Sequence, residues 1–197
     1  MIVIVLPDIA TEDRLLAAAR RNDQDAMMHI YDTYFPPIYS FIRLRVADTD
    51  TAEDLASDVF VRLVSAMRSR NAPHHSLRGW LFRVARNLIN DHYGRSRKIT
   101  EEVLEEWVPS PNDPDPEVQF LVQFFRALDI ERVRRALRML ADDQQEVLLL
   151  RFSQMLNLQE TADIMGRNVG AIKSLQFRAV NTLRQILGEY RMEGERG

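Results

Sequence analysis

Four prolines within eight positions, Pro109, Pro111, Pro114 and Pro116, constrain this chain more than any other feature. Proline has no amide hydrogen, and its ring clashes with the carbonyl one turn back, so no helix interior crosses this stretch. On both sides the pattern is helical. Apolar residues recur at i, i+3, i+4 and i+7, glycine is scarce, and no long β-branched alternation follows residue 6. A helical chain cut by prolines is expected to fold as two all-α units. Its 197 residues are enough for one or two domains of the usual size, about 50–200 residues each.

Charge is segregated in the same way. The formal net charge is −3, which alone disfavours nucleic acid as a partner. Yet Arg68 to Lys98 holds eight basic residues and one acid, Asp91, and Arg167 to Leu187 holds four basic residues and no acid. Between them, Glu101 to Glu117 holds seven acids and no base. Two basic blocks around an acidic one imply two DNA-facing surfaces and a tether. The acidic Pro-rich segment 99–116 opens a linker, residues 99–129, expected to be extended and self-repelling, with helix resuming near Glu117.

The first domain is expected over residues 11–98. Thr11 can cap a helix carrying Leu15, Leu16 and Ala19, and Met27, Ile30, Tyr31 and Tyr34 follow at helical spacing. Pro36-Pro37 is expected to interrupt it, with a new helix carrying Ile38, Phe41 and Ile42. Asp50 stands three residues before Glu53, a capping-box spacing that predicts the next helix start, with Leu55, Val59, Leu63 and Met67 on one stripe. Asn71 to His75 reads as a loop. Ser76 then caps a helix with Trp80, Val84, Leu88 and Asp91 along one side, and Arg83, Arg86, Asn87 and Asn90 on a polar, basic face. Trp80 is expected in the core.

The second domain is expected over residues 130–190. Asp142 or Asp143 caps a helix bearing Val147, Leu148, Leu150 and Arg151. Asn157 and Glu160 have capping-box spacing, Gly166 can terminate the short helix they open, and Asn168 caps a longer one carrying Val169, Ile172, Leu175, Ala179 and Leu183. A short helix, a Gly turn and a longer basic helix make a helix-turn-helix, whose second helix can enter the major groove N-terminus first. The blander alternative is a helical hairpin with a solvated basic face.

Several classes are excluded. With no cysteine, there is no disulfide framework, Cys-based zinc site or thiol nucleophile. The run Ile2 to Leu6 ends at Pro7, too short for a signal peptide or membrane span, so a cytoplasmic protein is expected. His29, His74, His75 and His92 are scattered, and neither a phosphate loop nor a nucleophile-base pairing is present. No metal, cofactor or catalytic step is expected. A helix-turn-helix regulator acting through DNA binding alone would account for residues 143–187 but leave the first basic helix without a task. A purely structural adaptor would not need segregated basic faces.

Two motif blocks carry a family resemblance. Ala52-Glu-Asp-Leu-Ala-Ser-Asp-Val-Phe-Val-Arg-Leu63 followed by Leu77-Arg-Gly-Trp-Leu-Phe-Arg-Val-Ala-Arg-Asn-Leu-Ile-Asn-Asp91 resembles the N-terminal, sigma2-type helical domain of extracytoplasmic-function (ECF) sigma factors. Gln145-Glu-Val-Leu-Leu-Leu-Arg-Phe152, Glu160-Thr-Ala-Asp-Ile-Met-Gly166, Ala171-Ile-Lys-Ser174 and Phe177-Arg-Ala179 resemble their C-terminal, sigma4-type helix-turn-helix domain. The resemblance implies a transcription initiation factor that binds core RNA polymerase, directs it to promoter DNA and helps open it. It implies that Asp54, Ser57 and Asp58 dock on the polymerase clamp; many members carry Gln where Ser57 stands. The loop residues Asn71, His74 and His75 become candidates for capturing an extruded minus-ten base, and Arg83, Arg86, Asn87 and Asn90 for holding the strand backbone. Lys173, Ser174, Phe177 and Arg178 match the minus-thirty-five readers, with Arg151 and Arg167 available for backbone contacts. Leu175-Gln176 departs from the Arg many members carry after the Ser. The acidic stretch corresponds to one that threads a basic polymerase channel. Members are commonly held inactive by an anti-sigma factor.

Overall fold

The computed structural model describes residues 9–69, 73, 76–94 and 135–194, which fall into two compact units on either side of residue 99. Every regular element among the described residues is helical. The linker's prolines and acids, together with Asn71, His74 and His75, lie outside the described residues.

The first unit contains α1 (Ile9–Ala19), α2 (Gln24–Arg45), α3 (Thr49–Arg68) and α4 (Leu77–His92). Helix α2 is central, packing against the other three. It buries Ile30, Tyr34, Ile38, Phe41 and Ile42 against Ala52, Ala56, Val59 and Leu63 of α3 and Leu77, Leu81, Phe82 and Ala85 of α4. The Phe41 and Phe82 rings meet edge-on at 5.5 Å, the arrangement their quadrupoles favour.

Four expectations about this unit are corrected. Helix α1 already includes Ile9, so Thr11 lies inside it and does not cap it. Pro36 and Pro37 lie inside α2 rather than ending it. Each proline withdraws one backbone donor, but Tyr34, Pro37, Ile38 and Phe41 are buried around them. Core packing on both sides of the break therefore outweighs the local loss. Helix α3 starts earlier than Asp50: Asp48 is the N-cap, its carboxylate accepting from the Thr51 amide and the Thr51 hydroxyl, both at 2.7 Å. Those bonds hold the Asp48 carboxyl below the usual carboxylate range. Helix α4 starts at Ser76 as expected, with the Ser76 hydroxyl accepting from Gly79 N at 3.0 Å, but its buried stripe differs. Leu77, Leu81, Phe82, Ala85, Leu88 and Ile89 face the core, whereas Trp80 and Val84 are half-buried and Asp91 is exposed.

The second unit contains α5 (Asp142–Leu148), which continues into a π-helical turn, Leu149–Ser153, then α6 (Leu158–Met165) and α7 (Val169–Gly194). Ala141, not an aspartate, occupies the N-cap of α5, and no side chain caps it; Asp142 and Asp143 lie in its first turn. The turns around α6 follow the sequence closely. The Asn157 and Glu160 capping box is complete in both directions. Gly166 ends α6 with φ +66°, the left-handed conformation glycine adopts without strain. Asn168 accepts from Ala171 N at 2.7 Å and starts α7. Ala162 is fully buried where α6 and α7 pack, and its small side chain permits close approach.

Candidate nucleic-acid interface

Helix α3 has two faces. Ala52, Ala56, Val59, Phe60 and Leu63 are buried, while Glu53, Asp54, Ser57, Asp58, Val61, Arg62 and Ser65 are exposed. The three residues expected to dock on polymerase therefore share one solvent-facing surface. Sequence reasoning missed Val61, which is 61% exposed. Its signal was its register: it follows Asp54 by seven residues and Asp58 by three, so the polar face has an apolar centre.

Helix α4 presents Arg83 and Asn87 to solvent, with Asn90 half-buried beside them. Trp80 lies one turn before Arg83 and Val84, so its half-exposed indole adjoins this polar face. Arg86 does not belong there. Only 8% exposed, it lies among the buried residues of α4, which corrects the expected basic face. The error followed from the misread stripe: once the core runs through Ala85 and Ile89, position 86 turns inward.

The first turn of α4 is held by a buried carboxylate that sequence reasoning overlooked. Glu12 of α1 is 2% exposed. It accepts from the Leu77 amide at 2.6 Å, the Arg78 amide at 3.3 Å, Arg78 Nε at 3.0 Å and the Tyr34 hydroxyl at 2.8 Å. A carboxylate at a helix N-terminus, paired with a guanidinium, has the charge partners that burial requires. Burial, followed by the Glu12 charge, pushes the Tyr34 phenol far above its ordinary value. Arg20, at the other end of α1, donates to the backbone carbonyl of Pro73. Glu12 was detectable by position alone, since Leu16 and Ala19 follow it at i+4 and i+7 on a buried face.

On α7, Lys173 and Ser174 are half-buried, while Phe177 and Arg178 are exposed. All four lie away from the core stripe of Ile172, Leu175, Ala179 and Leu183. Phe177 keeps 43% of its surface in water. Arg151 and Arg167 have other work: Arg151 Nε donates to Gln176 Oε1 at 3.0 Å, and another of its nitrogens donates to the Leu156 carbonyl. Arg167 pairs with Asp143. Leu175 and Gln176, the pair that departs from the family pattern after Ser174, are both buried.

One unit is a four-helix bundle with an acidic face and a polar, aromatic-bearing helix, and the other is a helix-turn-helix with an outward basic helix; together they define the class of a two-unit helical DNA-binding protein. Comparison with known proteins narrows the class. Residues 30–99 match sigma-70 region 2, and residues 136–185 match sigma-70 region 4. The chain is 37% identical over 181 residues to the ECF RNA polymerase sigma factor BldN of Streptomyces coelicolor, covering 91% of this chain and 67% of that one. Its fold resembles CnrH, solved in complex with the cytosolic domain of CnrY, with a TM-score of 0.66, 21% identity, and coverage of 90% of this chain and 97% of that one. It also resembles the sigma factor RpoE of Bartonella quintana, solved with the anti-sigma factor NepR, with a TM-score of 0.60, 25% identity, and coverage of 82% and 96% respectively. The chain belongs to the ECF group of the sigma-70 family, the transcription initiation factors that direct RNA polymerase to promoters.

Proposed function

We propose that the two units divide the initiation task. Residues 11–98 dock on core polymerase and engage the minus-ten element, residues 130–190 read the minus-thirty-five element, and residues 99–129 join them. The observation that carries this assignment is the outward face of α7. On the second helix of a Gly-turned pair it combines Lys173, Ser174, Phe177 and Arg178, with a phenylalanine ring left in water. Such a face suits a major groove, where Lys donates to guanine O6/N7, Phe touches a thymine methyl, and Arg meets phosphate.

On the first unit, Asp54, Ser57 and Asp58 are the polymerase contacts, with Val61 as an apolar anchor among them. Arg83, Asn87 and Asn90 hold the minus-ten strand, and the half-exposed Trp80 stacks on it. Asn71, His74 and His75 remain minus-ten candidates on the family resemblance alone. Arg86 contributes through the interior of the unit. Arg151 and Arg167 support the helix-turn-helix from within, through Gln176, Leu156 and Asp143. The factor carries no catalytic step of its own; phosphodiester synthesis belongs to the polymerase. It works in the cytoplasm, and no helix among the described residues is long and apolar enough to cross a membrane. An anti-sigma protein is a further partner, by analogy with the RpoE complex.

Transcription in vitro with core polymerase on a promoter library tests the assignment. Selected promoters should share two spaced elements, and Lys173→Ala should change preference only in the upstream one. Transcripts that start without the factor, or selection of a single element, would overturn it.

A further inference from the structure

We propose that Arg151 is a positioning residue for minus-thirty-five reading: its guanidinium joins the connection between α5 and α6 to the flank of α7, and so sets the rotation at which α7 presents its outward face. This deepens, and rests on, the proposal that this face reads the minus-thirty-five element. Arg151 lies in the π-helical turn, Leu149–Ser153. Among its bonds, Nε donates to Gln176 Oε1 of α7 at 3.0 Å, and a second nitrogen donates to the Leu156 carbonyl just ahead of α6. Gln176 is only 3% exposed. It follows Lys173 by about one turn and adjoins Phe177, so it stands at the border between the buried stripe of α7 and its outward face.

The backbone around Arg151 is shaped to make this junction. Gln154 N reaches back to the Leu149 carbonyl at 3.0 Å, the wide spacing of a π turn, and Leu156 N reaches back to the Leu150 carbonyl at 3.0 Å. Between them Met155 takes φ 54°, a left-handed conformation that is unfavourable for a bulky residue. Met155 is 60% exposed, so burial of its side chain does not offset that strain. Strained backbone and π turns concentrate at functional sites, and here they bring the Leu156 carbonyl to the guanidinium that also holds Gln176. Stability alone does not call for a polar pair, because two apolar side chains of matching shape serve an interior about as well. The neighbouring buried residues of α7, Ile172, Leu175 and Ala179, are apolar, and apolar contact does not fix direction. The planar fork of a guanidinium does. On a helix about 10–12 Å wide, a rotation of about 10° moves a side-chain tip by about 1 Å, beyond the roughly half-ångström tolerance of a recognition site.

The test uses holoenzyme carrying the full chain. The probes are duplex promoters that differ by single base pairs across the minus-thirty-five element selected in the library assay. The readout is the ratio of affinities for matched and altered duplexes. A partly unfolded population lowers every apparent affinity by the same factor and leaves this ratio unchanged. Gln176→Leu, which nearly keeps the volume and removes the acceptor, should lower discrimination at the base pair read by Lys173 roughly fivefold, the lower end of what one base contact contributes. Arg151→Lys, which keeps the charge without the planar fork, should act in the same direction, and it carries the test if Gln176→Leu does not fold. Gln176→Glu, which keeps an acceptor for Arg151, should keep wild-type discrimination; a loss as deep as that of Gln176→Leu would overturn the inference. Lys173→Ala is the control for the reading assignment. If it relaxes the preference while Gln176→Leu and Arg151→Lys weaken all duplexes by one common factor, or not at all, Arg151 serves the fold alone, and the inference falls while the assignment stands. If Lys173→Ala leaves every ratio at its wild-type value, the assignment of Lys173 falls and the inference with it.

Discussion

The cations proposed to meet DNA differ in exposure, and that difference predicts how each substitution behaves. Arg83 is exposed on α4, so Arg83→Ala should weaken holoenzyme on every promoter and flatten the salt dependence by about one unit of slope per lost phosphate contact. Lys173 should instead relax one minus-thirty-five position by about 1–3 kcal/mol; equal weakening on all sequence variants in a binding titration would make it a phosphate contact. The exposed acids of α3 face away from the core, so Asp54→Ala combined with Asp58→Ala should weaken core binding and leave the helical signal intact. A core titration unchanged from wild type would remove them from the docking surface. Tyr34 makes a prediction about pH. Its folded-state pKa is raised, so below the ordinary tyrosine value of 10.0 both folded and unfolded chains keep the proton and stability is at its full value. Above it the unfolded chain loses the proton first, and stability falls as pH rises, by at most about 1.4 kcal/mol per pH unit for this one group. Tyr34→Phe should fall less steeply than wild type in thermal unfolding between neutral and strongly alkaline pH; parallel slopes would mean the phenol is not the source.

At the scale of elements, the helix-turn-helix depends on local chemistry. A Cβ added at Gly166 meets nothing within 4 Å, so Gly166→Ala should cost stability through backbone strain alone, about 1–2 kcal/mol. Gly166→Asn should recover part of it, because Asn tolerates the left-handed region. Denaturant unfolding of the second unit measures both, and equal midpoints for the two variants would show that the turn relaxes out of that conformation. Local chemistry also explains what was legible in the sequence. The Asn157 and Glu160 box, the Gly166 terminator and the Asn168 cap each involve partners within a few residues, so sequence spacing revealed them. Where two local solutions competed, the sequence was ambiguous: Asp48 and Asp50 stand two apart, and the bond from Asp48 to Thr51 prevailed over the box from Asp50. Where tertiary packing decided, local rules failed, as at Pro36-Pro37. They failed again on α4, where taking Trp80 for a core residue rotated the whole stripe and turned Arg86 outward. Glu12's burial could be read from its register, but its partners could not, since they lie 22 and 65 residues away.

At the scale of the whole molecule, the distribution of charge matters more than its sum. The acids from Glu101 to Glu117 repel DNA phosphates and cannot contribute to promoter affinity by attraction. Their chemistry suits a basic surface of polymerase instead, and we propose, on the family resemblance, that the segment threads a basic channel of the enzyme near its active site. Replacing these seven acids with Gln or Asn raises the formal net charge from −3 into the positive range. Closed-complex affinity should then hold steady or rise, because counterion release favours the more basic protein. Productive initiation should fall, because the segment has lost its attraction for the channel. Initiation therefore falls without a fall in promoter affinity, which separates this mechanism from a general defect in folding or docking, where both would fall. Filter binding on duplex promoter and abortive-to-full-length transcript ratios measure them. A neutralised chain that initiates as well as wild type would leave the acidic segment as a spacer between the two DNA-reading units and would remove its role inside the polymerase.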